Sequence, residues 1–264
     1  MRIKTRAALI FSLLLMPGIA SAWGPLGHRV AARMAQGRLT PKAESAVHSL
    51  LGSGVTLAEV SAWADEQREE QGSELWHFVN VPIAQARYSP KYCSPRGCVV
   101  SKIEEFSRVL RDPSARKPDK RRALKFLIHF IADLHHPLHV GDNNDRGGNR
   151  LQVTFFGTGS NLHKVWDSQI MARHTTNEQV WLWDFNYLAN PKMAAEWSKG
   201  APADWATESL EIARTAYCLP GSSRPMKSGT RLGNDYYRIV LTLVQKQLAK
   251  AGIRTAWTLN EIFR

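Results

Sequence analysis

Leu124-Lys125-Phe126-Leu127-Ile128-His129-Phe130-Ile131-Ala132-Asp133-Leu134-His135-His136-Pro137-Leu138-His139 is the stretch on which the fold turns. Leu124, Phe126, Leu127, Phe130, Ile131 and Leu134 leave few polar positions. Their spacing predicts a largely buried central helix from about Asp119 to His135. Pro137 ends it. Inside this apolar run His129 and Asp133 stand four residues apart, and His139 follows six later. Residues at i and i+4 share a helix face, with Cβ atoms about 5–6 Å apart. Burying such an ionisable cluster is costly unless it is paired or coordinated.

The same spacing recurs downstream. His163 and Asp167 are four apart on a helix that begins near Leu162. Two such pairs on facing helices can converge, as metal sites in helical bundles do. Imidazole nitrogen and carboxylate oxygen are zinc ligands, and the absence of thiolate pairs argues against a structural Cys-type zinc site. A surface salt bridge accounts for one His-x-x-x-Asp pair. It does not account for two, one of them among Leu, Ile and Phe. Further candidates lie upstream: Asp65, His77 in Trp76-His77-Phe78, and His28 in Gly27-His28-Arg29.

The rest of the chain also reads as helix. Thr40 is an N-cap before Pro41, and that helix runs to Leu51 and stops at Gly52. Leu57, Val60, Trp63 and Ala64 predict one helix from Leu57 to about Glu69. Ile103, Phe106 and Leu110 mark another. After a polar loop from Asp142 to Asn149, Leu151, Val153 and Phe155 alternate with polar residues and predict a strand in a short hairpin. Helices resume near Leu162, from Ala203 to Tyr217, and from Asn234 to Ala251. The segment Trp181 to Trp205 reads as core and cover, and His48 and His174 as surface or cap residues. With no repeat or linker, one all-α domain with a short β-hairpin follows.

Residues 1–22 read as a cleaved signal peptide. Arg2, Lys4 and Arg6 precede an apolar run from Ala7 to Met16 and the small residues Ala20-Ser21-Ala22. That run is too short to span a bilayer, which needs about 20 residues. The mature domain is then residues 23–264, exported to the periplasm or beyond. It keeps 32 basic residues against 23 acidic ones, a net charge of +9, which favours anionic partners. Export permits disulfides. Cys93 and Cys98 flank a Pro/Gly turn, and a ring that short would stabilise the fold by about 2 kcal/mol. Cys218 is either a buried free thiol or a competitor for one of the other two.

The motifs together resemble the zinc-dependent S1/P1 nuclease family, single-strand nucleases and 3′-nucleotidases of the phospholipase C/nuclease superfamily. The matching segments are Trp23-Gly24-Pro25-Leu26-Gly27-His28, Ser61-Ala62-Trp63-Ala64-Asp65, Trp76-His77-Phe78, His129-Phe130-Ile131-Ala132-Asp133, Pro137-Leu138-His139, Arg146-Gly147-Gly148-Asn149 and Asn161-Leu162-His163-Lys164-Val165-Trp166-Asp167. They occur in the family's order. The last third matches only in general helical character.

The resemblance implies three zinc ions. Asp65, His77 and His129 would hold one, and His139, His163 and Asp167 another. The Trp23 amine and carbonyl with His28 would hold the remaining one, and Asp133 would bridge the first of these to it. It implies a zinc-activated hydroxide as nucleophile and products with 5′-phosphates. Zinc brings the pKa of bound water to about 7, so no side-chain base is required. Arg68, three residues after Asp65, would donate to the phosphate. Phe78 would stack on a base, and unpaired bases favour RNA and DNA single strands. Asn80 stands where well-known fungal members have Asp, which changes the pocket from acceptor-only to mixed. His135 and His136 flank the ligands, with a supporting role open to them. The nearest alternative is a zinc phospholipase C. Its relatives use Glu at the last ligand position, where this chain has Asp167. A second alternative is a non-catalytic periplasmic protein that binds zinc or nucleic acid.

Overall fold

A computed structural model describes residues 23–264. The signal peptide expected at residues 1–22 lies outside the described residues. In chain order the helices are α1 Pro25–Gln36, α2 Pro41–Leu51, the single turns α3 Leu57–Val60 and α4 Trp63–Glu66, α5 Val99–Arg111 and α6 Lys117–Leu134. After them come α7 Leu162–Lys164, a π-helical turn Val165–Gln169, α8 Ile170–His174, α9 Glu178–Leu188, α10 Pro191–Trp197, α11 Pro202–Ala216 and α12 Asn234–Ile262. The strands are short: β1 Val81–Pro82, β2 Gly141–Asp142, β3 Gln152–Phe155, β4 Thr158–Asn161 and β5 Thr230–Leu232.

The apolar run forms α6, and every residue from Phe126 to Leu134 is buried. Most of its apolar side chains pack with α2, α3 and α5 in one cluster. Ala132 instead joins a second cluster built on α1, β3 and α12. The face bearing His129 and Asp133 therefore lies at the seam between two cores.

The hairpin is as expected: β3 and β4 pair antiparallel from Gln152↔Asn161 to Phe155↔Thr158, and β5 joins β3 in parallel. The bridge β1–β2, Val81↔Gly141, holds the segment after His77 beside the segment after His139. Cys93 and Cys98 are bonded, and Cys218 is free and half-buried.

Two helix expectations need correction. The helix expected from Leu57 to Glu69 is broken between α3 and α4. There the Ser61 hydroxyl donates to Ala58 O, and the Ser61 carbonyl accepts from His129 Nδ1 at 2.7 Å. A long-range bond takes the carbonyl that a continuous helix would use. Conversely, α12 runs on to Ile262 past Gly252. A Cβ there would lie 2.8 Å from Met34 Cβ and 2.9 Å from Ala31 O. Gly252 lets α12 cross close to α1 and does not end the helix. Trp181, Trp197 and Trp205 are buried as expected, but Trp183 is exposed.

Candidate metal centre

α6 delivers His129 and Asp133, both with no exposed surface. His129 Nδ1–H donates to Ser61 O, so its Nε2 faces the acidic groups. That nitrogen lies 3.3 Å from Asp133 Oδ2, 3.5 Å from Asp65 Oδ1 and 3.2 Å from His77 Nδ1. His77 Nδ1 lies 3.0 Å from Asp133 Oδ2 and 3.4 Å from Asp65 Oδ1. From α1, His28 brings Nε2 to 3.3 Å from Asp133 Oδ1. Among the described residues, donor atoms all within 4.8 Å of one another occur in two overlapping groups: His28, Asp65 and His129; and His77, His129 and Asp133.

His139, His163 and Asp167 lie at the same seam but form no group that compact. His139 Nδ1–H donates to His77 O and His163 Nδ1–H to Gly147 O, each at 2.7 Å. These bonds orient both rings, whose centroids are 5.2 Å apart. Gly147 has φ +60°, and a Cβ there would fall 2.1 Å from Leu138 O. Only glycine brings that carbonyl under His163. Asp167 sits on the π-helical turn, a distortion common at functional sites.

Trp23 is fully buried. Its indole N–H donates to Ala132 O at 3.0 Å, and Gly24 N–H donates to Asp167 O at 2.9 Å. The expected start of the mature chain is thus tied to α6 and to the turn that carries Asp167. Arg68 Nη2 lies 2.5 Å from Asp65 Oδ1. Phe78 is half-buried, its ring edge-on to His139 with centroids 6.5 Å apart, and Asn80 is exposed.

His136 is one of the two histidines for which the sequence left a supporting role open. It is fully buried, and neither ring nitrogen has a hydrogen-bond partner. Its centroid lies 5.0 Å from His139, 5.2 Å from His163 and 4.6 Å from Trp23. Its position beside His139 in the sequence was the available signal. His135 instead turns away from the centre. Its Nδ1–H donates to Ile131 O and its Nε2 accepts from Arg254.

The electrostatics follow from burial and crowding. Burial, then repulsion from His129, lowers the pKa of His28 to about 3. Burial likewise lowers that of His139 to about 3. Burial would also lower that of His129, but the carboxylates of Asp133 and Asp65 outweigh it and raise it to about 10. Asp167 is pushed well above the usual carboxylate range by burial, then by the charges of Asp65 and Asp133.

The residues fit a divalent cation. Asp133 Oδ1 and Asp167 Oδ1 are buried acceptors with no hydrogen-bond donor, and His77 Nε2 and both His28 nitrogens also lack one. Buried polar atoms without partners are rare and call for an explanation such as a missing ion. Nitrogen and carboxylate donors without thiolates match the mixed sets of zinc centres.

The helical architecture is the phospholipase C/nuclease-like fold, and this imidazole–carboxylate centre is a candidate metal site within it. The family model described as S1/P1 Nuclease matches residues 23–264. Endonuclease 4 of Arabidopsis thaliana is 32% identical over 276 residues, covering 92% of this chain and 90% of its own length. Nuclease P1 of Penicillium citrinum is 32% identical over 268 residues, covering 91% and 97%. Nuclease S1 of Aspergillus oryzae is 33% identical over 166 residues, covering 60% and 57%. The chain belongs to the S1/P1 nuclease family, hydrolases of phosphodiester bonds and zinc enzymes.

Proposed function

We propose that the chain is an extracytoplasmic endonuclease that hydrolyses single-stranded RNA and DNA to 5′-phosphate products and removes 3′-phosphates from mononucleotides. The convergence of Asp65, His77, His129, Asp133 and His28 from separate segments carries this reading. Three zincs would be held by the sets given above: Asp65, His77 and His129; the Trp23 amine and carbonyl with His28; and His139, His163 and Asp167. Asp133 would be shared by the first two. When bound, zinc activates water at neutral pH and withdraws charge from phosphate oxygens.

The chain's own groups do the rest. Hydrogen bonds from His129, His139 and His163 to backbone carbonyls hold each Nε2 toward the centre. Such bonds fix the tautomer and the ring orientation. Arg68, held on Asp65, donates to a phosphate oxygen and stabilises the charge that builds there. Phe78 beside His139 offers a face to an unpaired base, and Asn80 reads its edge. Cleavage of residues 1–22 would free the Trp23 amine, and the mature chain acts as a monomer.

A product-end assay tests this. Single-stranded RNA should yield 5′-phosphates, and phosphatidylcholine should be left intact. Products ending in 3′-phosphate, or lipid cleavage in place of RNA cleavage, would overturn it.

A further inference from the structure

We propose that the outer face of α9 is a second contact surface for the single-stranded substrate, away from the bond that is cut. The inference rests on the nuclease reading for its occupant and on α9 for its location. Trp183 is 67% exposed and Tyr187 is 87% exposed, the two most exposed large apolar side chains among the described residues. They stand four apart on one helix, so their Cβ atoms are about 5–6 Å apart. Two open rings one turn apart make a platform for successive bases. Stacking suits any base, because each has a π-face.

Charge and position favour nucleic acid as the occupant. Asn186, on the same face, accepts from Arg38 at 2.8 Å. Arg29 and Arg33 of α1 both bind Glu178 at the start of α9. The other carboxylate of α9, Asp184, is occupied by His174 and Gln245. Three guanidinium groups stand against two carboxylates, so these side chains together carry a positive excess. α1 also carries His28 of the metal centre, and Arg29, Arg33 and Arg38 follow it in sequence. This basic row starts beside the centre and reaches α9 through Glu178 and Asn186. The same helix thus links the site of cleavage to the surface.

The test is the double variant Trp183→Ala/Tyr187→Ala in the zinc-loaded protein. Both side chains are exposed, and circular dichroism should match the wild type. Binding is read by fluorescence anisotropy with a labelled, phosphorothioate-protected oligonucleotide, and turnover with a long single strand and with 3′-AMP. We expect Kd and KM for the long strand to rise about tenfold, with kcat and all 3′-AMP kinetics unchanged. Unchanged strand affinity overturns the proposal. So does loss of binding to anionic phosphatidylserine vesicles with strand affinity intact, which would make the surface a membrane contact. Were the wild type to bind the strand without cutting it, the nuclease reading would fail. The affinity difference would still decide the surface.

Discussion

His28 of α1 and His129 of α6 stack face to face, with ring centroids 3.9 Å apart and planes 7° from parallel. Burial, and then repulsion from the neighbouring ring, keep His28 neutral while His129 faces Asp133 and Asp65. The stack locks two donor nitrogens on either side of Asp133 and makes that carboxylate the pivot of the centre.

Arg68 reaches Asp65 in the same pocket. Arg68→Ala should lower kcat by about 10²–10³ with KM for a mononucleotide little changed, the size expected for one lost donor to the developing charge. Steady-state kinetics with 3′-AMP measure it. A fall in metal content of similar size would show that Arg68 serves only to hold Asp65.

Phe78 stands edge-on to His139 and is only half-buried. Phe78→Ala should raise KM about tenfold, since one base–aromatic stack is worth about 1–3 kcal/mol. Phe78→Tyr should stay near the wild type. An abasic substrate should show no difference between Phe78 and Ala.

Trp23 is packed against Ala132 O and, through Gly24, against Asp167. A variant that keeps one extra residue before Trp23 converts the amine into an amide. It should lose about one zinc per chain, with activity down a hundredfold or more. Mass spectrometry of the intact chain start, with metal analysis, checks both. Full metal content in the extended protein would remove the Trp23 amine from the ligand set.

Glu208 on α11 binds Arg254 Nη2 at 2.8 Å and Lys250 Nζ at 2.6 Å on α12. Burial raises the pKa of its carboxyl, but these two partners outweigh burial and bring it down to about 2. A carboxyl depressed on folding stabilises the fold above its unfolded pKa, about 4.3, and loses that contribution as pH falls toward 2. Glu208→Gln should therefore cost about 1–2 kcal/mol at pH 7, reduced from a fully buried pair by partial exposure. The difference in Tm from wild type should shrink between pH ~4 and ~2, as thermal melts would show.

The central helix was legible because α6 is apolar enough to dictate burial whatever surrounds it, and α2 because Thr40-Pro41 and Gly52 mark its ends. The break between α3 and α4 was not, because its cause is His129, far away in sequence. The end expected at Ala251 failed for the same reason: Gly252, the next residue, permits a close crossing with Met34 of α1. The pairs His129/Asp133 and His163/Asp167, the first of which does join a compact donor group, pointed to a centre because there are two of them and one lies in an apolar helix. His136 did not, because an imidazole beside a ligand reads the same whether it supports that ligand or merely packs. Trp183 was hidden in a Trp-rich segment whose other members are core, and exposure is a property of the packed helix rather than of the residue.

Metal content measured together with activity tests the central claim most directly. The purified mature protein should carry about three zincs per chain, and a chelator should abolish cleavage of single-stranded RNA, with recovery on adding zinc. Asp133→Ala should hold fewer zincs and show no turnover. A metal-free protein that cuts RNA at the full rate, or an Asp133→Ala variant with normal zinc and normal activity, would contradict the account.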